Sequence, residues 1–230
     1  MSVRAVLFDV DFTLARPGPE LGPDGYRRAG ERHGLDVDAS RYEQARAAAI
    51  DGLQRHPELH HDEEIWISFT ERILRGMGAN GARARICAVE VARGWDRHDN
   101  FELYDDVLPT LAALREHGLA LGLVSNSGRD IDEFVAHHAL DVDVAVASGA
   151  HGRTKPDPSI FLAALARLDV PPEDAAMVGD SREEDVAGAR ALGMTAFLVD
   201  RDERHHGEPD RLSTLLALPA ALGLRPAPGG

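Results

Sequence analysis

The chain has 230 residues, of which 43% are apolar and 28% are charged. A chain of this size and composition can bury one large core and a smaller satellite unit, which excludes disorder throughout. The net charge of −14 disfavours nucleic acid and anionic membranes as partners. A single cysteine, Cys87, excludes an internal disulfide, and no apolar run reaches the roughly 18 residues of a membrane helix. We therefore expect a cytoplasmic protein.

The chain opens with a short apolar segment that ends in two acids. Residues 3–8 have the β-favouring, mostly apolar character of a buried strand, and Asp9 and Asp11 follow at its carboxyl end. Unpaired charge is costly inside a buried strand. The two acids are therefore expected to face solvent, a metal or a substrate, and they are the first functional candidates.

The next part of the chain has a helical pattern without any strand-like run. Residues 16–25 are rich in Pro and Gly and predict a loop. Apolar residues then recur at helical spacing in four segments, with breaks that include His56-Pro57. The predicted helices are Tyr26–His33, Ser40–Gln54, Asp62–Gly76 and Ala82–Trp95. This pattern predicts a helical domain, residues 16–98, inserted after the first strand.

From residue 99 onward, predicted strands alternate with predicted helices. The strands are Leu119–Val124, Val144–Ala147, Ala175–Val178 and Thr195–Val199; the helices are one within Leu103–Gly118, then Ile131–Ala139, Ser159–Leu168, Glu184–Ala191 and Leu212–Leu222, before a frayed tail, Arg225–Gly230. Such alternation through short connections is typical of a doubly wound parallel sheet in an α/β fold. We predict one α/β core domain formed by residues 1–15 and 99–230.

Polar side chains follow several of these strands at the point where each strand ends. Ser125 and Asn126 follow the second strand, Asp180 follows the fourth, and Lys155 lies in a loop on the same side of the sheet. Lys155 is also the only lysine of the chain. Ligands of parallel sheets bind beyond the carboxyl ends of the strands. The sequence therefore predicts that these residues form one site together with Asp9 and Asp11.

A cluster of carboxylates with one lysine and one hydroxyl suits phosphate chemistry. Several carboxylates favour a hard cation such as Mg²⁺. A carboxylate can attack phosphorus, and a second acid can protonate the leaving oxygen, since Asp9 and Asp11 point to the same side of an extended chain. Ser125, Asn126 and Lys155 could hold the phosphate oxygens.

Four segments resemble the four motifs of the haloacid dehalogenase superfamily, in order: FDVDFTL, LVSNSG, the lysine of KPDPSIF, and VGDSREEDVAGARALGM. The resemblance covers nearly all of the chain outside the helical insert. It implies that Asp9 is the nucleophile and Asp11 the general acid and base, and that Ser125 and Lys155 stabilise the phosphate. The implied activity is a phosphatase acting on a small phosphorylated metabolite through an aspartyl-phosphate.

The same resemblance implies a magnesium site and a lid. Asp180 would bind Mg²⁺, Asp9 and the backbone carbonyl of Asp11 would share it, and Asp185 would bind the ion or support Asp180. The helical insert resembles the C1 cap that closes over the core site and selects the substrate. Phe12 departs from the family pattern, which very often has glycine there, and suggests a bulkier turn with an apolar contact beside the site.

Alternative functions and roles stay open. The same scaffold also occurs in 2-haloacid dehalogenases, although the acid at position 11 argues against that activity. A sugar phosphate mutase and a non-catalytic binding protein are further alternatives. The oligomeric state stays open between monomer and homodimer. The paired histidines, His60-His61 and His205-His206, are expected at the solvated surface. The aromatic residues of the insert are expected in its core, and Glu183 and Glu184 in a solvated first turn; these aromatic residues are Trp66, Phe69 and Trp95.

Overall fold

The computed structural model describes residues 3–53 and 60–224. The strands are β1 (Ala5–Phe8), β2 (Ala15–Pro17), β3 (Phe101–Leu103), β4 (Ala120–Ser125), β5 (Val144–Ala147), β6 (Ala175–Gly179), β7 (Thr195–Val199) and β8 (Arg211–Leu212). The helices are α1 (Pro23–Arg32), α2 (Tyr42–Leu53), α3 (Glu63–Gly76), α4 (Ala82–Trp95), α5 (Val107–Glu116), α6 (Ile131–His137), α7 (Ser148–His151), α8 (Pro158–Leu168), α9 (Gly188–Ala191) and α10 (Leu218–Ala221). Four short 3₁₀ turns and one π-helical turn, Arg182–Ala187, complete the described elements.

Six of the strands form one parallel sheet, in the order β5-β4-β1-β6-β7-β8. The chain starts in the middle at β1, winds outward to β5, and then returns to build the other half. In such a doubly wound sheet, a crevice opens at the carboxyl ends of the strands where the winding direction reverses. The predicted fold class is confirmed, and the reversal lies between β1 and β6.

Both faces of the sheet are covered by apolar residues. Val6 and Phe8 of β1 pack into one core cluster, while Ala5 and Leu7 pack into a second cluster on the opposite face. Helices α5 and α6 contribute to the first cluster, and α8 contributes to the second. Because β1 is buried on both faces, its near-continuous apolar sequence is the pattern expected of a central parallel strand.

Helices α1 to α4 form a helical insert between β2 and β3. The two short strands pair antiparallel, with Ala15 opposite Leu103, so the chain enters and leaves the insert side by side. Within the insert α2 packs closely on α3, since a Cβ added at Gly76 would lie 2.6 Å from the Cβ of Ala45. The Asp62 side chain caps α3 by accepting a hydrogen bond from the Glu64 N–H at 2.9 Å. The proposed boundaries of the two domains, 1–15 with 99–230 and 16–98, stay a prediction.

The sequence located most elements, and α4 and β7 have the predicted bounds. The predicted final helix Leu212–Leu222 is wrong in its first half: Leu212 pairs with Val199 at the edge of the sheet, and α10 begins only at Leu218. The strands β2 and β3 were missed. The predicted break at His56-Pro57 and the predicted tail 225–230 lie outside the described residues.

Among the described residues, every helix is too short or too polar to cross a bilayer. The cytoplasmic location expected from the sequence stays a prediction.

Candidate active site

The carboxyl ends of three neighbouring strands bring the predicted site residues together. Asp9 follows β1, Ser125 ends β4, and Asp180 follows β6. Because β1 pairs with both β4 and β6, the residues after these strands are adjacent in space although they are far apart in sequence. The backbone N–H of Asp9 donates to the Val178 carbonyl at 2.9 Å, which continues the sheet pairing up to the first acid.

Lys155 lies at the centre of the site. Its Nζ donates to Asp9 Oδ1 at 2.5 Å and to Asp185 Oδ1 at 2.7 Å, and 1% of its side chain is exposed. Burial opposes its charge most strongly, but the carboxylates of Asp185 and Asp9 together outweigh burial and raise the pKa of Lys155 above its ordinary value. The lysine therefore stays protonated and holds two carboxylates in place.

Three acids form a compact cluster beside this lysine. One oxygen each of Asp9, Asp180 and Asp185 lies within 4.8 Å of the others. Burial raises the pKa of Asp180 well above its usual value, and the charges of Asp9 and Asp185 raise it further. Burial also raises the pKa of Asp185 to about 6. Asp9 and Asp185 are buried and Asp180 is partly buried. Three carboxylates beside one ammonium form an acidic, all-oxygen donor set that fits a hard divalent cation.

Asp185 is held on both sides by protein groups. Its Oδ1 accepts from Lys155, and its Oδ2 accepts from the Ser181 backbone N–H at 3.0 Å. The carboxylate is therefore already engaged, which suits it to orienting the lysine and the turn after β6.

Asn126 anchors the loop that carries Lys155. Its Oδ1 accepts from the Lys155 backbone N–H at 2.7 Å, and its Nδ2 donates to the Lys155 carbonyl at 3.1 Å and to Glu184 Oε2 at 3.0 Å. Ser125 is fully buried, and its Oγ donates to Ser127 Oγ at 3.0 Å. The substrate-binding roles expected for Ser125 and Asn126 stay predictions, whereas the contact of Asn126 with the lysine loop is a feature of the structure.

Asp11 lies outside the acidic cluster and pairs with an arginine that the sequence reasoning missed. Arg129 Nη2 donates to Asp11 Oδ2 at 3.0 Å and lies 2.8 Å from Oδ1. Burial raises the pKa of Asp11, and the Arg129 charge opposes this rise. Arg129 comes four residues after Ser125, so its position in a loop at the carboxyl edge of the sheet was the available signal.

The interpretation of Glu184 as part of a solvated turn is wrong. Its carboxylate accepts from Asn126 and lines the cleft, and burial raises its pKa to about 7. The Glu184 backbone N–H donates to Ser181 Oγ at 3.1 Å at the start of the π-helical turn, which directs this residue inward while Glu183 stays exposed. The spacing of Ser181 and Glu184 is that of a capping box, and this was the signal available in the sequence.

The helical insert supplies an apolar wall to the same cleft. Phe12 has a φ of 65° and its ring lies 6.2 Å from that of Trp95, which is the apolar contact expected from the departure at this position. The aromatic residues expected in the core of the insert are buried or partly buried, and they also face the cleft. The lining residues are Asp9, Asp11, Phe12, Ile50, Trp66, Phe69, Trp95, Asn126, Asp180, Ser181, Glu184 and Asp185.

The histidine pairs do not build a metal site within residues 3–53 and 60–224, since the only described group of three candidate ligands is the aspartate cluster. His61 is less exposed than expected: its Nδ1 lies 2.8 Å from Ser148 Oγ, and His60 Nε2 lies 3.0 Å from Arg153 Nη1. These contacts connect the helical insert to the α/β core.

The fold and the acidic site together indicate one class of protein, and comparison of the chain with known protein families identifies that class. Residues 3–193 match the model of the haloacid dehalogenase-like hydrolase family. The match covers most of the chain, so the chain belongs to this family. The enzyme class expected from the sequence, a hydrolase, is confirmed.

Individual relatives agree with this assignment. A glyceraldehyde 3-phosphate phosphatase from Methanopyrus kandleri is 33% identical over 219 residues, which cover 90% of this chain and 88% of the relative. The crystal structure of a HAD phosphatase from Thermococcus onnurineus is similar with a TM-score of 0.64 and 28% identity, over 96% of this chain and 98% of that one. A 2-haloacid dehalogenase from Pseudomonas syringae pv. Tomato DC3000 has a TM-score of 0.61 at 24% identity, over 96% of this chain and 98% of that one, and shows the shared fold alone.

Proposed function

We propose that the protein is a Mg²⁺-dependent phosphatase that hydrolyses a small phosphomonoester through an aspartyl-phosphate. The observation that carries the proposal is the cluster of Asp9, Asp180 and Asp185, in which the buried Lys155 bridges two of the three acids. The phosphatases among the relatives support the same chemistry.

Asp9 is the nucleophile in this proposal. Lys155 Nζ donates to its Oδ1, which orients the carboxylate at the end of β1 and leaves Oδ2 for the attack on phosphorus. Asp9, Asp180 and the backbone carbonyl of Asp11 would hold Mg²⁺, with Asp185 in support. When bound, the ion would offset the repulsion between the aspartate and the anionic phosphate ester.

Asp11 is the general acid and base. In the first step an oxygen of Asp9 bonds to phosphorus, the ester P–O bond breaks, and the Asp11 carboxyl gives its proton to the leaving alkoxide, which departs as an alcohol. In the second step a water gives a proton to Asp11 and attacks phosphorus, and the bond from phosphorus to Asp9 breaks. Inorganic phosphate leaves, and both aspartates return to their starting states.

The substrate class is a small phosphorylated metabolite. The cleft combines an acidic floor from the α/β core with a wall of Phe12, Trp66 and Trp95. A helical insert whose aromatic side chains cover the acidic residues would exclude water from the aspartyl-phosphate. Relatives named for glyceraldehyde 3-phosphate, phosphoserine and ribulose-1,5-bisphosphate support a small phosphate ester in general.

The test is a screen of phosphorylated metabolites with the purified protein, in excess Mg²⁺ and in excess chelator. We expect phosphate release with Mg²⁺ only, and we expect Asp9→Asn to remove it, since the amide keeps the size of the carboxylate but is not a nucleophile. Asp180→Asn should raise the Mg²⁺ concentration needed for half-maximal rate. Near-wild-type turnover by Asp9→Asn, or metal-free chloride release from 2-chloropropionate in place of phosphate release, would contradict the proposal.

A further inference from the structure

Arg129 lies in the loop between β4 and α6, and 1% of its side chain is exposed. The guanidinium Cζ is 3.9 Å from the centre of the Phe101 ring and 5.4 Å from that of Phe134. Stacking on aromatic rings suits the flat, weakly hydrated guanidinium group and would not suit an ammonium group in the same way. The charge is therefore held in an apolar slot beside the cleft.

The polar contacts of this guanidinium converge on one nitrogen. Nη2 donates to Asp11 Oδ2 at 3.0 Å and to the Trp95 carbonyl at 3.3 Å. Nε and Nη1 make no hydrogen bond to the part of the chain that the structure describes, where Asp11 is also the only carboxylate paired with Arg129. A purely structural buried arginine normally has most of its five N–H groups bonded. Here the two aromatic rings fix the plane of the guanidinium group, and Nη2, its one nitrogen hydrogen-bonded to described residues, contacts Asp11.

Asp11 has no comparable second anchor. Its Oδ1 lies 2.8 Å from the same Arg129 Nη2 and makes no hydrogen bond to any other described residue, and its side chain is 20% exposed at the cleft. A catalytic carboxyl must lie within hydrogen-bond reach of the oxygen that it protonates, so a fixed rotamer is part of its function. Arg129 is the group that fixes it.

We propose that Arg129 is a positioning residue that holds the Asp11 carboxyl in place for proton transfer to the leaving oxygen. The inference rests on the proposed phosphatase function. Arg129 acts through Asp11 in this proposal and does not itself bind phosphate, since its contacts are with Asp11, Trp95 and two phenylalanine rings and none of them involves Asp9, Asp180 or Lys155.

The experiment compares two leaving groups. An alkyl phosphate needs a proton on its leaving oxygen, whereas 4-nitrophenyl phosphate releases a stable anion without one. The ratio kcat/KM reports on the steps up to departure of the leaving group, which separates this proton transfer from the later attack of water. We expect Arg129→Met to lower kcat/KM at least tenfold for an alkyl phosphate that the wild-type enzyme hydrolyses, and less than about threefold for 4-nitrophenyl phosphate. Arg129→Lys, which keeps the charge but loses the flat stacking, should give the same selective loss in a milder form.

A double-mutant cycle decides whether Arg129 acts through Asp11. Asp11→Asn should show the same leaving-group selectivity, and adding Arg129→Met to it should cause little further loss. Arg115→Met, which removes a surface arginine paired with Asp141 and Asp143, is the control and should change neither ratio. Thermal melts identify any variant that has lost its fold, and Arg129→Lys then carries the comparison.

Equal losses for both substrates, additive losses in the double variant, or a weaker inhibition by inorganic phosphate would overturn the role of Arg129. A wild-type enzyme that hydrolyses no phosphomonoester would instead overturn the proposed function, so the two failures are distinguishable.

Discussion

Replacing Lys155 with methionine should cost the fold several kcal/mol. The substitution keeps an unbranched side chain of similar length but leaves Asp9 and Asp185 without the buried cation that both now contact, at 2.5 and 2.7 Å. Removing one partner of a buried ion pair typically costs about 3 to 5 kcal/mol, because the remaining charge stays desolvated. In a chain of this size such a loss lowers the Tm by roughly 10 °C.

The chain offers a matched control for this change. Arg115 also bridges two carboxylates, with Nη1 2.6 Å from Asp143 and Nε 3.1 Å from Asp141, but those acids are 41% and 76% exposed. Exposed pairs contribute about 1 kcal/mol or less. Arg115→Met should therefore shift the Tm by only a few degrees.

The assay is thermal unfolding at pH 8 and at pH 5, with chelator present so that no cation replaces the lysine. The cost of Lys155→Met should shrink at pH 5, because burial already raises the pKa of Asp185 to about 6 and loss of the lysine raises it further, so the acid can take up a proton. The reasoning is refuted if Lys155→Met and Arg115→Met destabilise the protein equally at pH 8, or if the cost of Lys155→Met is larger at pH 5.

Two further predictions concern the same site. Burial raises the pKa of Glu184 to about 7, so the folded protein binds more protons than the unfolded chain between about pH 4 and 7. Without metal, the free energy of unfolding should therefore fall as the pH rises through this window. Mg²⁺ at pH 8 should restore part of the lost free energy of unfolding. Urea titrations across this range check the sign, Glu184→Gln should flatten the profile, and a metal-free stability that rises from pH 5 to 8 would contradict it. Gly179→Ala should remove activity and destabilise the fold by about 2 kcal/mol or more, because an added Cβ would overlap the Asp185 side chain. Gly22→Ala, where the nearest atom is 3.6 Å away, is the control, and similar melts for the two alanine variants would show that the turn after β6 can relax.

Strands and helices with a strong local pattern were predictable from the sequence. The helix α4 has apolar residues at helical spacing over its full length, and β7 is a short apolar run between turns, so both have the predicted bounds. The strands β2 and β8 have three and two residues, too few for any periodicity, and they exist because a distant strand pairs with them. Tertiary pairing of this kind leaves no local signal.

The candidate site was predictable where a residue stands at the end of a buried strand. Asp9 and Asp180 fall in this class. Lys155 was found as the only lysine of the chain, in a loop at the same edge of the sheet, and the structure brings it together with the two acids. Arg129 and Glu184 were not predicted as site residues, because the loop position of the first and the capping-box spacing of the second do not show whether the charge is buried. Their roles depend on the aromatic slot and on the π-helical turn, which form only in the folded chain.

Because the chain's single lysine is buried, the folded protein presents no lysine side chain to amine-reactive reagents. Acylating reagents that modify ε-amino groups meet no such group on the surface of the folded molecule. Acylation of Lys155 can proceed only when the loop that carries it opens. The mass of the peptide that contains Lys155, measured after timed pulses of reagent, therefore records how often the candidate site opens. Crosslinkers and dyes that target lysine would leave the native protein unlabelled at every side chain.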